Sequence, residues 1–457
     1  MALLRRSVTK RIAGFATLAL ISACVEPGPT ETFDPQLRAA RPSGGGSTTG
    51  PTVKSTSPSS SVRDVTLDVR VLGSGFDQGS KAEWAIDGVP SPKVITNSTR
   101  FVNSGELVAN ITIAADAEVT LYDVIVTTSS GKPGIGTETF EVIIEQSTLP
   151  TVGGTSGDAY AVNDQGVIVG AATDRSADRN GTSYPVRWNF VGGKWVITKL
   201  ASASSKDAFA ADVNGSSIIV GFSNGRAMVW LPDGSTTDLG PGCARGINDA
   251  GTIVGVLATP EGQQGVVWTR SGSGWNPPQV LPRTLVPTSW GAWPLCGYPT
   301  AKNINNSGII VGTALMGQDT PAAWVPQTPT GPWGEPTLPL GAVNGSATSI
   351  NESGYMVGNV GPEWVPTVYL TDGTRTAISR SGPTWPTGFS FGINNSGDVV
   401  ARDNGMAVWF LAAGAATWTK LSRTGNGEVR DISNATAYQP ARIVGKLGGK
   451  PSVWTLR

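Results

Sequence analysis

The chain has 457 residues, with 34 Lys and Arg against 34 Asp and Glu, 15% charged residues and no histidine. A length of that order suits about three domains, although a single all-β domain often exceeds the usual size. Zero net charge leaves no cationic footprint for nucleic acid, and the lack of histidine excludes Ser-His-Asp and Cys-His hydrolysis, zincin chemistry and haem-His ligation. Glycine, at 59 residues, is nearly twice as frequent as the ~7% average, and 15 Trp outnumber 7 Tyr and 11 Phe. A turn-rich β protein with recurrent tryptophan fits this composition.

Arg5, Arg6, Lys10 and Arg11 precede an apolar run from Ile12 to Ala23. The run is too short to span a bilayer as a helix and suits the core of a signal peptide. It ends in Ile21-Ser22-Ala23-Cys24, which resembles the lipobox of bacterial lipoproteins. The resemblance implies that residues 1–23 are removed, that Cys24 is lipidated, and that the protein is held on the extracytoplasmic side of a bacterial membrane by its N-terminal lipid. The alternative is an ordinary secretory signal with a chance cysteine. Val25 stands where an inner-membrane retention signal would place Asp, which favours the outer membrane or cell surface. Residues 24–50, rich in Pro, Gly, Ser and Thr, read as a disordered tether with a random-coil span on the order of 30 Å. Cys243 and Cys296 are the other cysteines. In an oxidising compartment they admit a single pairing, so a disulfide is expected, with two free buried thiols as the alternative.

From 51 to 145, alternating apolar segments recur between turn signals: VTLDVRVLGSGF, KAEWAIDG, ELVANITI, LYDVIVTTSSGK and TETFEVII. Period-2 alternation predicts an antiparallel β-sandwich of immunoglobulin size. The segment resembles the IPT/TIG family of Ig-like domains through Gly73-Ser74-Gly75-Phe76, Trp84 to Gly88, Tyr122 to Thr127 and Phe140-Glu141-Val142, and departs from it at Ser55 to Pro58. The family implies a spacer or binding module and no chemistry.

Residues 146–457 contain seven copies of one pattern: AVNDQGVIVG, ADVNGSSIIVG, GINDAGTIVG, NINNSGIIVG, SINESGYMVG, GINNSGDVVA and a degenerate DISNATAYQPARIVG. Each precedes an aromatic anchor at Trp188, Trp230, Trp268, Trp324, Tyr369, Trp409 and Trp454. Their mean spacing of about 44 residues is the length of a four-stranded propeller blade. A third, aliphatic anchor follows at Leu200, Leu239, Leu281, Leu338, Ile378 and Leu421. Asn at the first turn position and Gly at the fourth predict a tight hairpin turn. The Val-Gly ending is expected to let neighbouring sheets approach closely, and the aromatic to fill space between blades. Blade 2, with Ser217 in place of the turn glycine, and blade 7, with a longer turn, are expected to be irregular.

The seventh repeat ends three residues after Trp454, whereas Ser147-Thr148-Leu149-Pro150 precedes the first and has the spacing of a final strand. The predicted fold is therefore all-β: an Ig-like sandwich followed by a seven-bladed β-propeller closed by an N-terminal strand in the last blade. The anchors, with Thr237-Asp238-Leu239-Gly240, resemble the HAF-type repeat of extracellular bacterial proteins, a likeness that speaks to fold and carries no agreed catalytic motif.

Chemistry is weakly marked. One carboxylate per turn at Asp164, Asp249 and Glu352 falls far short of the oxygens Ca²⁺ takes, so turn chemistry is the preferred reading and no metal is expected. Gly44-Gly45-Gly46 lacks a phosphate-loop context. No cofactor is implied. One segment breaks the repeat: 24 positions separate Leu281 from Asn305, against 9 to 16 between corresponding residues elsewhere. The excess carries Trp290, Trp293, Cys296 and Tyr298 and, with the 171–185 loop, is expected on the face where propellers bind ligands. The two tryptophans suit sugar rings or a protein partner, or else pack the loop onto its own blade. Three functions compete: a membrane-anchored module that binds a glycan or envelope protein, a structural scaffold or adhesin, and a His-free carboxylate glycosidase or lyase whose catalytic pair no local motif nominates.

Overall fold

The computed structural model describes residues 50–456 except 175–181, 203–207, 288–295, 297–299, 317, 339–343, 362–364, 370–374, 378–387, 404–406, 416–417 and 422–426, and every regular element among the described residues is a strand.

Two facing sheets occupy residues 51–144. One holds Thr52–Ser57, Val65–Ser74, Glu106–Ile113 and Val94–Asn103 in that spatial order; the other holds Ser60–Val62, Pro133–Ile143, Leu121–Thr127, Lys81–Ile86 and Val89–Pro90. Neighbours are antiparallel except that Ser60–Val62 runs parallel to Pro133–Ile143. Alternation along Glu106–Ile113 turns Leu107, Ala109, Ile111 and Ile113 inward onto Trp84, Tyr122 and Phe140. Trp84 meets Phe140 edge-on at 5.9 Å. Val94–Asn103 was absent from the sequence-based strands because VITNSTRFVN buries little beyond Val94 on an edge and so shows no apolar period.

Among the described residues of 145–456 the strands form antiparallel repeats, numbered here blades 1 to 7, whose first strands are Gly157–Val162, Phe209–Val213, Thr236–Ile247, Ala301–Ile304, Gly345–Ile350, Gly388–Ile393 and Gly427–Ile432. Each first strand packs beside the next, and the seventh packs beside the first. The ring is therefore closed: a β-propeller. Thr236–Ile247 is long enough to serve as the outer strand of blade 2 and the inner strand of blade 3. Glu145–Thr148 completes blade 7 by pairing with Lys450–Leu456, and fully buried Leu149 donates its amide to the Pro451 carbonyl at 2.8 Å. The closing strand thus begins two residues before the Ser147–Pro150 segment expected from spacing.

The hairpin asparagines do more than shape turns. Oδ1 of Asn163, Asn214, Asn248, Asn305, Asn351 and Asn394 accepts the amide four residues on, in each case at 2.9 Å. Nδ2 of the same side chains donates to the backbone carbonyl of the equivalent residue in the next blade at 2.9–3.3 Å, ending on Ser433 of blade 7. Asn434 then donates to Asp164, returning the girdle to blade 1. The acidic turn residues belong to a second circle: Asp249 accepts from the Gly215 amide, Glu352 from Asn306 and Asp164 from Asn434. The expected irregularity of blade 2 is not found, because Ser217 itself adopts φ 58° and closes the turn back to Asn214.

Two expectations need correction. The glycine of the Val-Gly ending does not face the neighbouring sheet. A Cβ on Gly170, Gly221, Gly255, Gly358 or Gly445 would lie 2.0–2.2 Å from a carbonyl oxygen of the first strand of its own blade, and one on Gly312 would lie 1.8 Å from the Thr300 oxygen just before that strand. That oxygen is pressed inward by a bulge, since all seven first strands shift register at the same place: Ala159/Ala161, Ala210/Asp212, Ala244/Gly246, Ala301/Asn303, Ala347/Ser349, Ser390/Gly392 and Val429/Asp431. Such a bulge inserts one residue and re-aims its side chain. The second correction concerns blade 6, where Leu411 pairs with Val399 as Trp188 pairs with Ile168, so Trp409 lies two residues short of the anchor position and donates its Nε1 to Asp403 at 2.8 Å. Among the other anchors, Trp188 and Trp324 are buried and tie blades together by donating to Pro150 and Pro282, the residues that follow the preceding aliphatic anchors.

Candidate functional site

The bulge places one residue per blade three positions before the girdle: Tyr160, Ala211, Arg245, Lys302, Thr348, Phe391 and Arg430. These side chains converge on the ring axis. Arg430 of blade 7 lies 5.4 Å from the Tyr160 ring of blade 1 and 5.9 Å from Phe391 of blade 6. Tyr160 contacts Phe209 of blade 2 at 5.4 Å, and Arg245 of blade 3 reaches within 5.8 Å of the same Phe209. Lys302 of blade 4 donates to the Ser346 hydroxyl of blade 5, which also accepts from Thr313 at 3.1 Å. These contacts run from blade 6 through blades 7, 1 and 2 to blade 3, with a second group joining blades 4 and 5.

Charge is divided unevenly around this ring. On the side of blades 6, 7 and 1, Arg430 binds Asp158 at 2.8 Å and also Glu428, while Arg402 binds Glu428 at 3.0 Å and Lys446 reaches both carboxylates. Burial opposes the charge of Arg430, yet Asp158 and Glu428 hold its guanidinium above the usual range; Glu428 in turn is held below it by Arg430 and Lys446, against the effect of burial. On the side of blades 3 and 4 the cations have no such partners. Arg245 gives one Nη to the carbonyl of Cys296 and its buried Nε finds no acceptor, and neither Arg245 nor Lys302 forms an ion pair among the described residues. Burial lowers Arg245 to about 10, eased by Tyr160 and reinforced by the like charge of Arg430. Burial and the charge of Arg245 pull Lys302 down to about 7. Both are half-buried.

Deeper along the inner strands, Asp212 accepts from the Ile247 amide of the next blade at 2.8 Å and Asp431 from Val162 at 3.0 Å. Burial pushes them up to about 6 and about 7 against these hydrogen bonds, with the charge of Asp212 adding to the shift of Asp431. They strap blades 2 to 3 and 7 to 1.

Of the residues singled out in sequence, Cys243 and Cys296 are joined as a disulfide with Cα atoms 5.5 Å apart, and both sulfurs pack with Phe222 beside Phe209. Of the insertion, the short strand Val286–Pro287 pairs with the third strand of blade 3, and the Cys296 carbonyl accepts from Arg245. Trp290, Trp293 and Tyr298 lie outside the described residues, as does Cys24. Sequence reasoning missed the axial ring entirely. Its signal was present: AYAVN, AADVN, ARGIN, AKNIN, ATSIN and SFGIN share a small residue, then one position free to vary, then a small or polar residue, an aliphatic and Asn.

A second concavity of roughly 460 Å³ lies between the sandwich and blades 7 and 1, lined by Asp64, Phe190, Trp195, Tyr438, Gln439 and Arg442 among others. Arg442 stands 5.4 Å from the Trp195 ring, and Tyr438 is 92% exposed.

No protein-family model matches this chain, and a search of curated proteins finds no match. Solved structures are similar in fold. A streptogramin B lyase superposes with a TM-score of 0.46 at 12% identity, over 69% of this chain and 97% of that one. A virginiamycin B lyase from Staphylococcus aureus gives 0.47 at 13%, over 69% and 99%. The β-propeller domain of Myceliophteria thermophila Cps50 (Swd1) gives 0.44 at 12%, over 68% and 99%. At such identity no activity carries over, and the assignment of this chain as an all-β protein with a propeller stands on its own ring of inner strands.

Proposed function

We propose that this chain is an extracytoplasmic, lipid-anchored binding module in which an Ig-like domain, residues 51–145, holds a propeller of HAF-type repeats, residues 146–457, away from the membrane and presents its disulfide-bearing face to a glycan or protein partner. The anchor is read from Ile21-Ser22-Ala23-Cys24 and the tether behind it. Support for an Ig-like, IPT/TIG-type domain comes from the two-sheet strand order, the parallel edge pairing and the Tyr122 hydroxyl, which donates to the Glu118 carbonyl four residues upstream at 3.1 Å, as a tyrosine corner does.

The observation that carries the reading is the double tie of the aromatic insertion to the channel mouth, through the disulfide and through Arg245 to the Cys296 carbonyl. A loop restrained at that point loses less freedom on binding. Screening of residues 51–457 against a glycan array and envelope extracts tests it. Trp290→Ala with Trp293→Ala should remove roughly 2–4 kcal/mol of affinity for the ligand found. A strong loss of thermal stability with binding intact would instead make these tryptophans packing residues. Cys24→Ser should shift the protein out of the detergent phase.

A scaffold role is the second reading. It is favoured by the passage from Pro133–Ile143 into Glu145–Thr148 across the single residue Ile144, which packs into the cluster around Trp454 and so makes a stiff joint. A carboxylate hydrolase is disfavoured by the state of its nearest candidate pair. Asp158 and Glu428 are ion-paired with Arg430 and Lys446, Glu428 also with Arg402, and Glu428 is held below its usual range where a general acid must be raised, while the raised Asp212 and Asp431 are each tied to a backbone amide of the next blade.

A further inference from the structure

We infer that the propeller channel holds an anion site on the side of blades 3 and 4, where Arg245 and Lys302 receive a carboxylate or phosphate group of the ligand entering from the disulfide face. The inference deepens the reading of that face as the recognition face and rests on it for the direction of entry.

Three observations converge. Arg245 and Lys302 occupy the same bulge position on adjacent inner strands, whose backbones touch where a Cβ on Gly246 would lie 3.0 Å from the Lys302 carbonyl oxygen. Neither has a carboxylate partner among the described residues, although Arg430, at the same position on blade 7, is held by two. The Nε of Arg245 is buried without an acceptor. Two like charges on adjacent strands, near enough for Arg245 to disfavour the charge of Lys302 and with no carboxylate partner among the described residues, are costly, and an anion would supply the missing partner.

The fixed contacts also say how it would be bound. Arg245 is anchored by its Nη on Cys296, so its remaining donors are aimed rather than searching, and Lys302 is positioned by the Ser346 hydroxyl, itself held by Thr313 and the Ala347 carbonyl. Beside Arg245 the ring of Phe209, which contacts Tyr160, brings no competing carboxylate of its own.

Titration gives the site a signature. The strands packed on Lys302 are Thr236–Ile247, Ile253–Thr259, Ile310–Leu315 and Gly345–Ile350. Their ionisable groups are Arg245 and, at the far end of the first strand, Asp238, which pairs with Arg226. No acid on these elements therefore assists Lys302, whose ammonium is held near neutral pH. An arriving anion would favour its protonated form, so binding takes up a proton and weakens as pH rises through 7 to 8.

Isothermal titration calorimetry of residues 51–457 at constant ionic strength, with sodium phosphate and separately with sodium malonate, tests this. We expect binding of at least one anion, tighter at pH 6.5 than at pH 8.5, a loss of about tenfold in Lys302→Gln, and a flat pH profile with binding retained in Lys302→Arg. Preference between phosphate and malonate identifies the ligand group. Binding of neither anion, or equal binding by the parent and Lys302→Gln, overturns the site; should Lys302→Gln fail to fold, a pH-independent affinity in the parent does so equally. The loop reading fails separately, through the tryptophan variants above, and anion binding that survives those variants would leave the channel site standing alone.

Discussion

The two ends of the seven inner strands obey opposite rules. At the turn end, six blades place an asparagine with the same two bonds, one to its own turn and one to the next blade. Three and five residues earlier on the same strands the side chains vary in size and charge: Asp158, Phe209, Cys243, Thr300, Ser346 and Glu428 stand at one position in six blades, and Tyr160, Ala211, Arg245, Lys302, Thr348, Phe391 and Arg430 at the other. Equivalent backbones that place asparagine at one end in six blades and accept six kinds of side chain at the other show where the fold is made and where it is free to be used. The girdle closes the ring; the bulge re-aims a residue into the channel at no cost to the girdle.

Breaking the closed end should give the largest effect. A chain of residues 155–457 lacks Glu145–Thr148 and the fully buried Leu149, leaving the edge of Lys450–Leu456 unpaired. It should aggregate or melt far below residues 51–457, and equal melting temperatures would refute strand closure.

Gly312→Ala comes next. Its Cβ would stand 1.8 Å from the Thr300 carbonyl oxygen, so the bulge must move. A drop of several degrees, on the scale of about 2–4 °C per kcal/mol for a domain of this size, is expected in thermal unfolding. The cost is bounded, because blade 6 accommodates Ala401 at the equivalent place. A neutral result would return the glycine to the role of spacing sheets.

The smallest effect sharpens the comparison by its sign. Asp431 has its carboxyl pushed up to about 7 by burial, from an ordinary 3.8. Between those values the folded protein holds a proton the unfolded chain has lost, so stability from this group is present at low pH and falls as pH rises through the window. Asp431→Asn, which keeps an oxygen for the Val162 amide, should therefore raise the melting temperature at pH 8 and leave it nearly unchanged at pH 4. Destabilisation at pH 8 would mean that the ionised carboxylate is required.

The architecture was legible because a repeat multiplies its signal. Five turns with Asn and Gly among seven repeats, an aromatic at regular intervals and a missing last strand are enough to predict blades and closure. Blade 6 shows the limit: a tryptophan two residues early is indistinguishable in sequence from the anchor, and only pairing with Val399 reveals Leu411 in its place. The candidate site was not legible, for a physical reason. Bulges invert the alternation of a strand, so a reader assuming period 2 assigns Arg245 and Lys302 to the wrong face. The aromatic insertion drew attention because it breaks the repeat, whereas the axial ring hides inside it.

The claim that one end of an inner strand builds the ring while the other end binds is tested most directly on blade 4, where Asn305 and Lys302 lie three residues apart. Thermal unfolding and phosphate titration of Asn305→Ala and Lys302→Gln should separate cleanly. Asn305→Ala, which strips bonds to the Ile309 amide and the Asn351 carbonyl, should melt lower and keep its affinity for phosphate. Lys302→Gln should melt no lower and lose that affinity. If both variants melt lower and bind phosphate as the parent does, the channel residues are part of the scaffold and the division between the two ends is wrong.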